Sequence, residues 1–371
     1  MNALQITSGK IQKLSILLIA FLILGCNTEN KDELLTENKP VKTNLMIEAL
    51  NFFKPISSVP YEELPENYQE INNPVNIKSV HFKGNELKVD LGKKLYFDTR
   101  LSKNGTISCN SCHNLNTFGV DNLPTSPGDT KEFGGRNSPT VIYASLHAMQ
   151  FWDGRAKDVE EQAGMPILNP IEHNIPSEQF LVDRLKGIPE YQEYFKRVFP
   201  NEKDPITYKN LTNAIGAFER KLIPESRFDQ WLDGDDKALS EKEKNGMRAF
   251  IDNGCIACHS GVAIGGQMMQ KFGVYGNYWE HTKSKNIDNG LYDITKNESD
   301  KYVFKAPSLR NIEKTYPYFH DGSVKDLSEA VKIMGKLQSN KDLTETEVKN
   351  IVAFLKTLTA EVDPKFKKAD L

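Results

Sequence analysis

Three helical stripes and one short apolar run set the frame of this chain. Leu91, Leu95 and the pair Tyr96-Phe97 fall near one helix face in a segment that begins at Val89 and stops before Asp98. Leu211, Ile215, Phe218 and Leu222 repeat the helical spacing, and Pro224 closes that run because it cannot continue a helix. The clearest stripe is Val348, Ile351, Val352, Leu355 and Leu358, opened by Thr344 and Glu347 in capping-box spacing. This last stripe is core, with no catalytic part. A second box, Ser240 with Glu243, opens a segment that repeats the first one. At a constant offset of 154 residues, Gly92 aligns with Gly246, Tyr96 with Phe250, Phe97 with Ile251 and Asp98 with Asp252. Alternating, strand-like patterning is scarce. The fold class expected is mainly α: two small helical domains related by internal duplication, with little β structure.

The apolar run Leu14 to Leu24 is interrupted only by Ser15, follows Lys10 and Lys13, and ends at Gly25-Cys26. It is too short to span a bilayer as a mature helix and reads as an export signal. A small residue directly before a cysteine resembles the bacterial lipoprotein cleavage box, so Cys26 is expected to carry lipid and anchor the chain to a membrane. The polar run Asn27 to Asn44 has little to bury and is expected to be a tether. The chain of 371 residues has a net charge of −3, which becomes near −5 once Lys10 and Lys13 are removed. So mild a balance argues against nucleic acid as a partner.

The chemistry lies in the remaining four cysteines. Cys109-Asn110-Ser111-Cys112-His113 and, 146 residues on, Cys255-Ile256-Ala257-Cys258-His259 are both Cys-x-x-Cys-His. Two thiols at this spacing reach the two vinyl groups of one porphyrin, and the next imidazole falls beneath the iron. Zinc held by two Cys-x-x-Cys pairs would not require the histidine that follows each. With Cys26 lipidated, no cysteine is left for a disulfide. A sixth ligand decides which haem carries electrons and which reacts. For the second haem the candidates are Met334 and, in a glycine-rich loop, Met268 and Met269; spacing alone does not choose among them.

Longer motifs surround both haem sites. The first has Leu95-Tyr96-Phe97-Asp98-Thr99-Arg100-Leu101-Ser102, Arg136-Asn137-Ser138-Pro139-Thr140-Val141 and Phe151-Trp152-Asp153-Gly154-Arg155. The second has Tyr302-Val303-Phe304-Lys305-Ala306-Pro307-Ser308-Leu309-Arg310-Asn311, Pro317-Tyr318-Phe319-His320-Asp321-Gly322 and Ala330 to Met334. From about Val89 to Leu358 the chain resembles the bacterial dihaem cytochrome c peroxidases. The resemblance implies two cytochrome c-like domains, a peroxidatic low-potential one over 86–225 and a high-potential electron-transfer one over 226–371. Before them would come a leader (1–25), the tether (26–45) and an irregular arm (46–85).

The resemblance also implies roles. Met334 would be the sixth ligand of the second haem, where tryptophan-oxidising relatives carry tyrosine. Trp152 would lie between the haems, and Glu172, supported by Gln162, would move the peroxide proton. Asn137, by its side chain, and Thr315 and Pro317, by backbone carbonyls, would bind calcium. The implied partners are hydrogen peroxide and a small electron-donor protein, a cytochrome c or cupredoxin, on the periplasmic side of the membrane. A homodimer fits the family but has no independent signal here. One position departs from the pattern: Asp129 stands where many members have a histidine that caps the peroxidatic iron. His147 and His173 are the imidazoles that would replace it if the loop folds differently. Rival functions are a dihaem electron carrier without peroxidase activity and oxidative modification of a protein substrate.

Overall fold

The computed structural model describes residues 42–63, 81–83 and 86–368. The chain divides into the units Met1–Lys39 and Pro40–Leu371, and every described residue belongs to the second. The leader, Cys26 and most of the tether lie outside the described residues. Thirteen α-helices occur among the described residues. The first seven are α1 (Asn44–Ala49), α2 (Glu86–Phe97), α3 (Cys109–Cys112), α4 (Val159–Leu168), α5 (Glu178–Lys186), α6 (Pro189–Val198) and α7 (Tyr208–Glu219). They are followed by α8 (Arg227–Asp233), α9 (Glu241–Asp252), α10 (Tyr278–Thr282), α11 (Tyr292–Thr295), α12 (Leu327–Ser339) and α13 (Glu345–Lys356). Two short two-stranded sheets complete the description. In one, β1 (Tyr61–Glu63) and β2 (His81–Lys83) run parallel; in the other, β3 (Met269–Lys271) and β4 (Val303–Lys305) are antiparallel with Met269 opposite Lys305. The expected mainly α class holds.

The duplication is visible as one helix crossing built twice. A Cβ on Gly92 of α2 would lie 1.8 Å from the Ala214 carbonyl oxygen and 3.0 Å from Phe218 Cβ on α7. On Gly246 of α9 it would lie 1.8 Å from the Asn350 carbonyl oxygen and 3.0 Å from Phe354 Cβ on α13. Only hydrogen fits in either place, which is why both segments carry glycine despite its cost within a helix. The aromatic beside each crossing repeats too: Tyr96 meets Phe218 at 5.2 Å and 60°, and Phe250 meets Phe354 at 5.5 Å and 61°. Both caps read from the sequence close as boxes, Ser240 with Glu243 and Thr344 with Glu347. The closing helix α7 stops at Glu219, so Leu222 packs from the turn beyond it, fully buried.

Each crossing seeds its own core. Leu91, Leu95, Tyr96, Leu211, Ile215 and Phe218 share one cluster, and Met247, Phe250, Ile351, Phe354 and Leu355 another. Fully burying such a side chain contributes about 1.5–3 kcal/mol. Chain segments cross over between the two cores. Phe53, just past α1, is fully buried against Phe228, Phe250 and Phe354 of the second core, whereas Phe366 near the C-terminus packs on Phe218 of the first. The start of the N-terminal arm therefore reaches the core, and so does one face of α8, which buries Phe228, Trp231 and Leu232. Between these cores, Asp229 and Arg310 form a bidentate ion pair at 2.8 Å with no exposed side-chain surface on either partner.

Candidate haem sites

Two cavities, of about 360 and 380 Å³, lie in the size range of cofactor clefts. Cys109, Cys112 and His113 line the first; Cys255, Cys258 and His259 line the second. All four thiols are free of disulfides. In the first motif, Ser108 and Ser111 cap the single turn α3 reciprocally, setting both cysteines on a short helix ahead of His113. His113 Nδ1 lies 2.9 Å from the Pro139 carbonyl oxygen, and His259 Nδ1 lies 3.1 Å from that of Pro307. Each carbonyl accepts a hydrogen bond from Nδ1–H, which fixes the tautomer and leaves the Nε2 lone pair for a metal. Burial lowers both imidazoles from their ordinary range, His259 to about 4, so they stay neutral.

The two carbonyls are placed by one repeated turn. Thr140 Oγ accepts from Ile142 N–H and donates to the Phe118 carbonyl; Ser308 Oγ accepts from Arg310 N–H and donates to the Ala263 carbonyl. Pro-Thr and Pro-Ser, in corresponding places after the two haem motifs, are thus supports for the imidazoles. The sequence displayed this signal, but as motif text without a role.

Over the first cavity, Gln162 on α4 and Glu172 in the loop after it both face the space that His113 lines. Asn169 builds that loop: its carbonyl accepts from Glu172 N–H, its Oδ1 from Ile171 N–H, and its Nδ2 donates to Glu172 Oε1 at 2.8 Å. Burial raises the Glu172 carboxyl above its usual range, while the Arg155 guanidinium and the Asn169 amide pull it back. Arg155 is itself held by Asp153 and lies over the Phe151 ring at 3.5 Å. Neither Asn169 nor Arg155 was singled out by sequence, since an amide three residues before a carboxylate is common in any loop.

Asp129 does not line this cavity. Its carboxylate turns away and accepts from Asn104 N–H at 3.0 Å and Thr106 Oγ at 2.6 Å, bonds that hold it below the usual range although burial pushes it up. Its own N–H donates to the Glu172 carbonyl at 2.8 Å. Next to it, Gly128 sits where a Cβ would come within 1.7 Å of the Ile171 carbonyl oxygen, so this loop presses directly onto the one bearing Glu172. His173 does line the cavity, with Nδ1 3.1 Å from the Leu101 carbonyl oxygen, and so does His147. Glu219 lines it as well: buried, with Oε2 unpartnered, its carboxyl is pushed far up by burial and by Glu160.

The second cavity is walled by Phe250, Phe272 and Phe304, and α12 brings Met334 to its lining. Met268 and Met269 do not reach it; Met269 sulfur instead lies against the backbone of Gly154. Thr315 and Pro317 border this cavity, and Asn137 borders both. Asn137 donates its amide hydrogens to the Leu123 and Pro124 carbonyls, which leaves Oδ1 as its acceptor. Trp152 lines both cavities and is fixed at two points, by Nε1–H to the Asn137 carbonyl at 2.9 Å and by its own carbonyl to Lys305 N–H at 2.7 Å. No helix among the described residues is long and apolar enough to cross a membrane.

Residues 86–237 match the family model described as di-haem cytochrome c peroxidase, and residues 243–359 match the one described as cytochrome c. The cytochrome c551 peroxidase of Nitrosomonas europaea is 48% identical over 299 residues, spanning 80% of this chain and 86% of that one. That of Pseudomonas aeruginosa is 44% identical over 308 residues, spanning 82% and 86%. Among solved structures, a MauG-like protein associated with microbial copper homeostasis superposes with a TM-score of 0.70 at 30% identity, over 82% of this chain and 98% of that one. Two Cys-x-x-Cys-His cavities with paired imidazole supports, in a chain so similar to curated peroxidases over most of its length, place this protein in the di-haem cytochrome c peroxidase family, with two c-type haems as its cofactors.

Proposed function

We propose that this dihaem peroxidase reduces hydrogen peroxide at the first cavity, with electrons that a small periplasmic redox protein delivers to the second. The observation that carries this reading is Glu172 in the same cavity as His113, its carboxylate oriented by Asn169. A haem held by Cys109, Cys112 and His113 supplies the redox chemistry, H₂O₂ + 2 H⁺ + 2 e⁻ → 2 H₂O. Glu172 accepts the proton from one peroxide oxygen and returns it to the other, so that the O–O bond breaks with water as the leaving group. Gln162 hydrogen-bonds the peroxide, and Trp152 is the aromatic step between the two sites. Met334, which lines the second cavity, would hold the second haem together with Cys255, Cys258 and His259, and a thioether ligand would favour the reduced state.

With Asp129 committed to Asn104 and Thr106, its position offers no imidazole to the first iron, and we read that iron as open at rest. Asn137, Thr315 and Pro317 supply the kind of oxygen donors that suit calcium. The first domain, over 86–225, performs the chemistry and the second, over 226–371, receives electrons. Export and lipid anchoring at Cys26 place both on the periplasmic side of a membrane. A plain electron carrier has no use for Glu172 over one iron, and Met334 in the second cavity disfavours the protein-modifying alternative. The test is a turnover assay of holo-protein with reduced cytochrome c, with and without peroxide. Glu172→Gln should keep both haems and lose about 10²- to 10⁴-fold in rate. Full turnover in that variant would remove Glu172 from the mechanism.

A further inference from the structure

Six residues line both cavities: Asn137, Pro139, Thr140, His147, Trp152 and Lys305. Of these, only Lys305 and His147 carry ionisable side chains, and both are more than nine-tenths buried, 5% and 7% exposed. They touch each other, Lys305 Nζ lying 3.2 Å from His147 Nδ1. An ammonium is a donor only, so Nδ1 accepts and the ring proton resides on Nε2. That Nε2 is buried without a partner. Among the described residues Lys305 has no carboxylate within ion-pair distance, because Asp153, whose charge it feels, is already bound by Arg136 and Arg155.

Neither group is free to turn elsewhere. Lys305 ends β4, and its N–H is spent on the Trp152 carbonyl. The His147 ring lies against Gly266, where a Cβ would meet Cδ2 at 2.4 Å, and the next residue, Ala148, donates to the Gly266 carbonyl. Burying a cation without a counter-charge, or an N–H without an acceptor, is costly. Two donors fixed at such cost on the wall between two cofactor cavities point to an anion in those cavities.

Resting on the dihaem reading, we propose that Lys305 and His147 form one anion seat shared by both cavities, binding the carboxylate side groups of the two haems and setting both midpoint potentials together. Haem carries its negative charge on propionates, so the counter-charge missing from the protein arrives with the cofactors. Burial depresses the free Lys305 to about 8, and a bound carboxylate would restore it. Because ferric haem carries one more positive charge than ferrous haem, a cation beside it favours reduction. Here one cation would do so for both irons, tying the potential of the electron-receiving site to that of the reacting site.

The test is an optical redox titration of the holo-protein, with haem counted per chain. Lys305→Met, which keeps length and loses charge, should lower both midpoints, and Lys305→Arg should restore them. His147→Phe, which removes the Nε2 donor and keeps the ring, should lower both by a smaller amount. Midpoints unmoved in Lys305→Met and His147→Phe, or a shift confined to one haem, would overturn the shared seat. If Lys305→Met fails to load haem, the His147→Phe titration decides by the same criteria. Failure of the peroxidase reading shows separately, as a wild-type holo-protein with two haems and no Glu172-dependent turnover.

Discussion

Asp229→Asn should be among the most destabilising single changes in this protein, and the structure says by how much. Its carboxylate accepts five hydrogen bonds: two from Arg310 at 2.8 Å, one from Ile56 N–H at 2.9 Å, and two from Ser226, at 2.8 Å from N–H and 2.6 Å from Oγ. An asparagine keeps one acceptor oxygen and turns an NH₂ toward the donors on the other side. Arg310, with no exposed side-chain surface, would then be a buried charge without its partner. Breaking such a pair costs about 3–5 kcal/mol. For a chain of this length that corresponds to a drop of about 4–6 °C in the unfolding midpoint.

The acid response is part of the same prediction. Burial pushes the Asp229 carboxyl up, but Arg310 and the Ser226 donors outweigh it and hold it below the usual range. A carboxyl depressed in the folded state stabilises above its unfolded pKa and loses that contribution as pH falls through the folded value. The gap between wild type and Asp229→Asn should therefore be full at neutral pH and close in acid. The double variant Asp229→Leu/Arg310→Met, which removes both charges, should lose less than the single one. Thermal unfolding followed at the Soret band measures all of this. A midpoint within about 1 °C of wild type, or a gap unchanged from neutral to acid pH, would refute the reasoning.

Other changes separate the parts of the account. Asn169→Leu removes a hydrogen bond to the charged form of Glu172, so the acid limb of the kcat/KM profile should move to higher pH while haem content is kept. A uniform loss with the limb in place would make Asn169 merely structural. Gly92→Ala and Gly246→Ala each force a Cβ onto a carbonyl oxygen at 1.8 Å, and each should destabilise by about 1–3 kcal/mol or more, by similar amounts, in denaturant titrations. A large inequality between the two would break the equivalence of the helix crossings.

How much of this was legible beforehand follows from distance along the chain. The two Cys-x-x-Cys-His motifs, both capping boxes and the paired glycines are local signals or fixed offsets, and in the fold each motif lines one cavity, the boxes close and the glycines sit at equivalent crossings. Spacing leaves Met334, Met268 and Met269 open and only the resemblance points to Met334; that it alone of the three lines the second cavity depends on the placement of α12, because periodicity says nothing of which face meets a cavity. Lys305 with His147 and Arg310 with Asp229 are pairings across 158 and 81 residues, made only by burial, and no single stretch announces them. Pro139 and Pro307 stood in full view, but a carbonyl's task is set by the imidazole that folds onto it.

The central claim is one closed iron and one open one beside Glu172. Electron paramagnetic resonance of the fully oxidised holo-protein at rest reads it most directly. The account predicts one low-spin signal, from the haem that Met334 closes, and one high-spin signal from the haem at His113. Two low-spin signals would contradict it, and would mean that His173, His147 or another group already occupies the site where peroxide must bind.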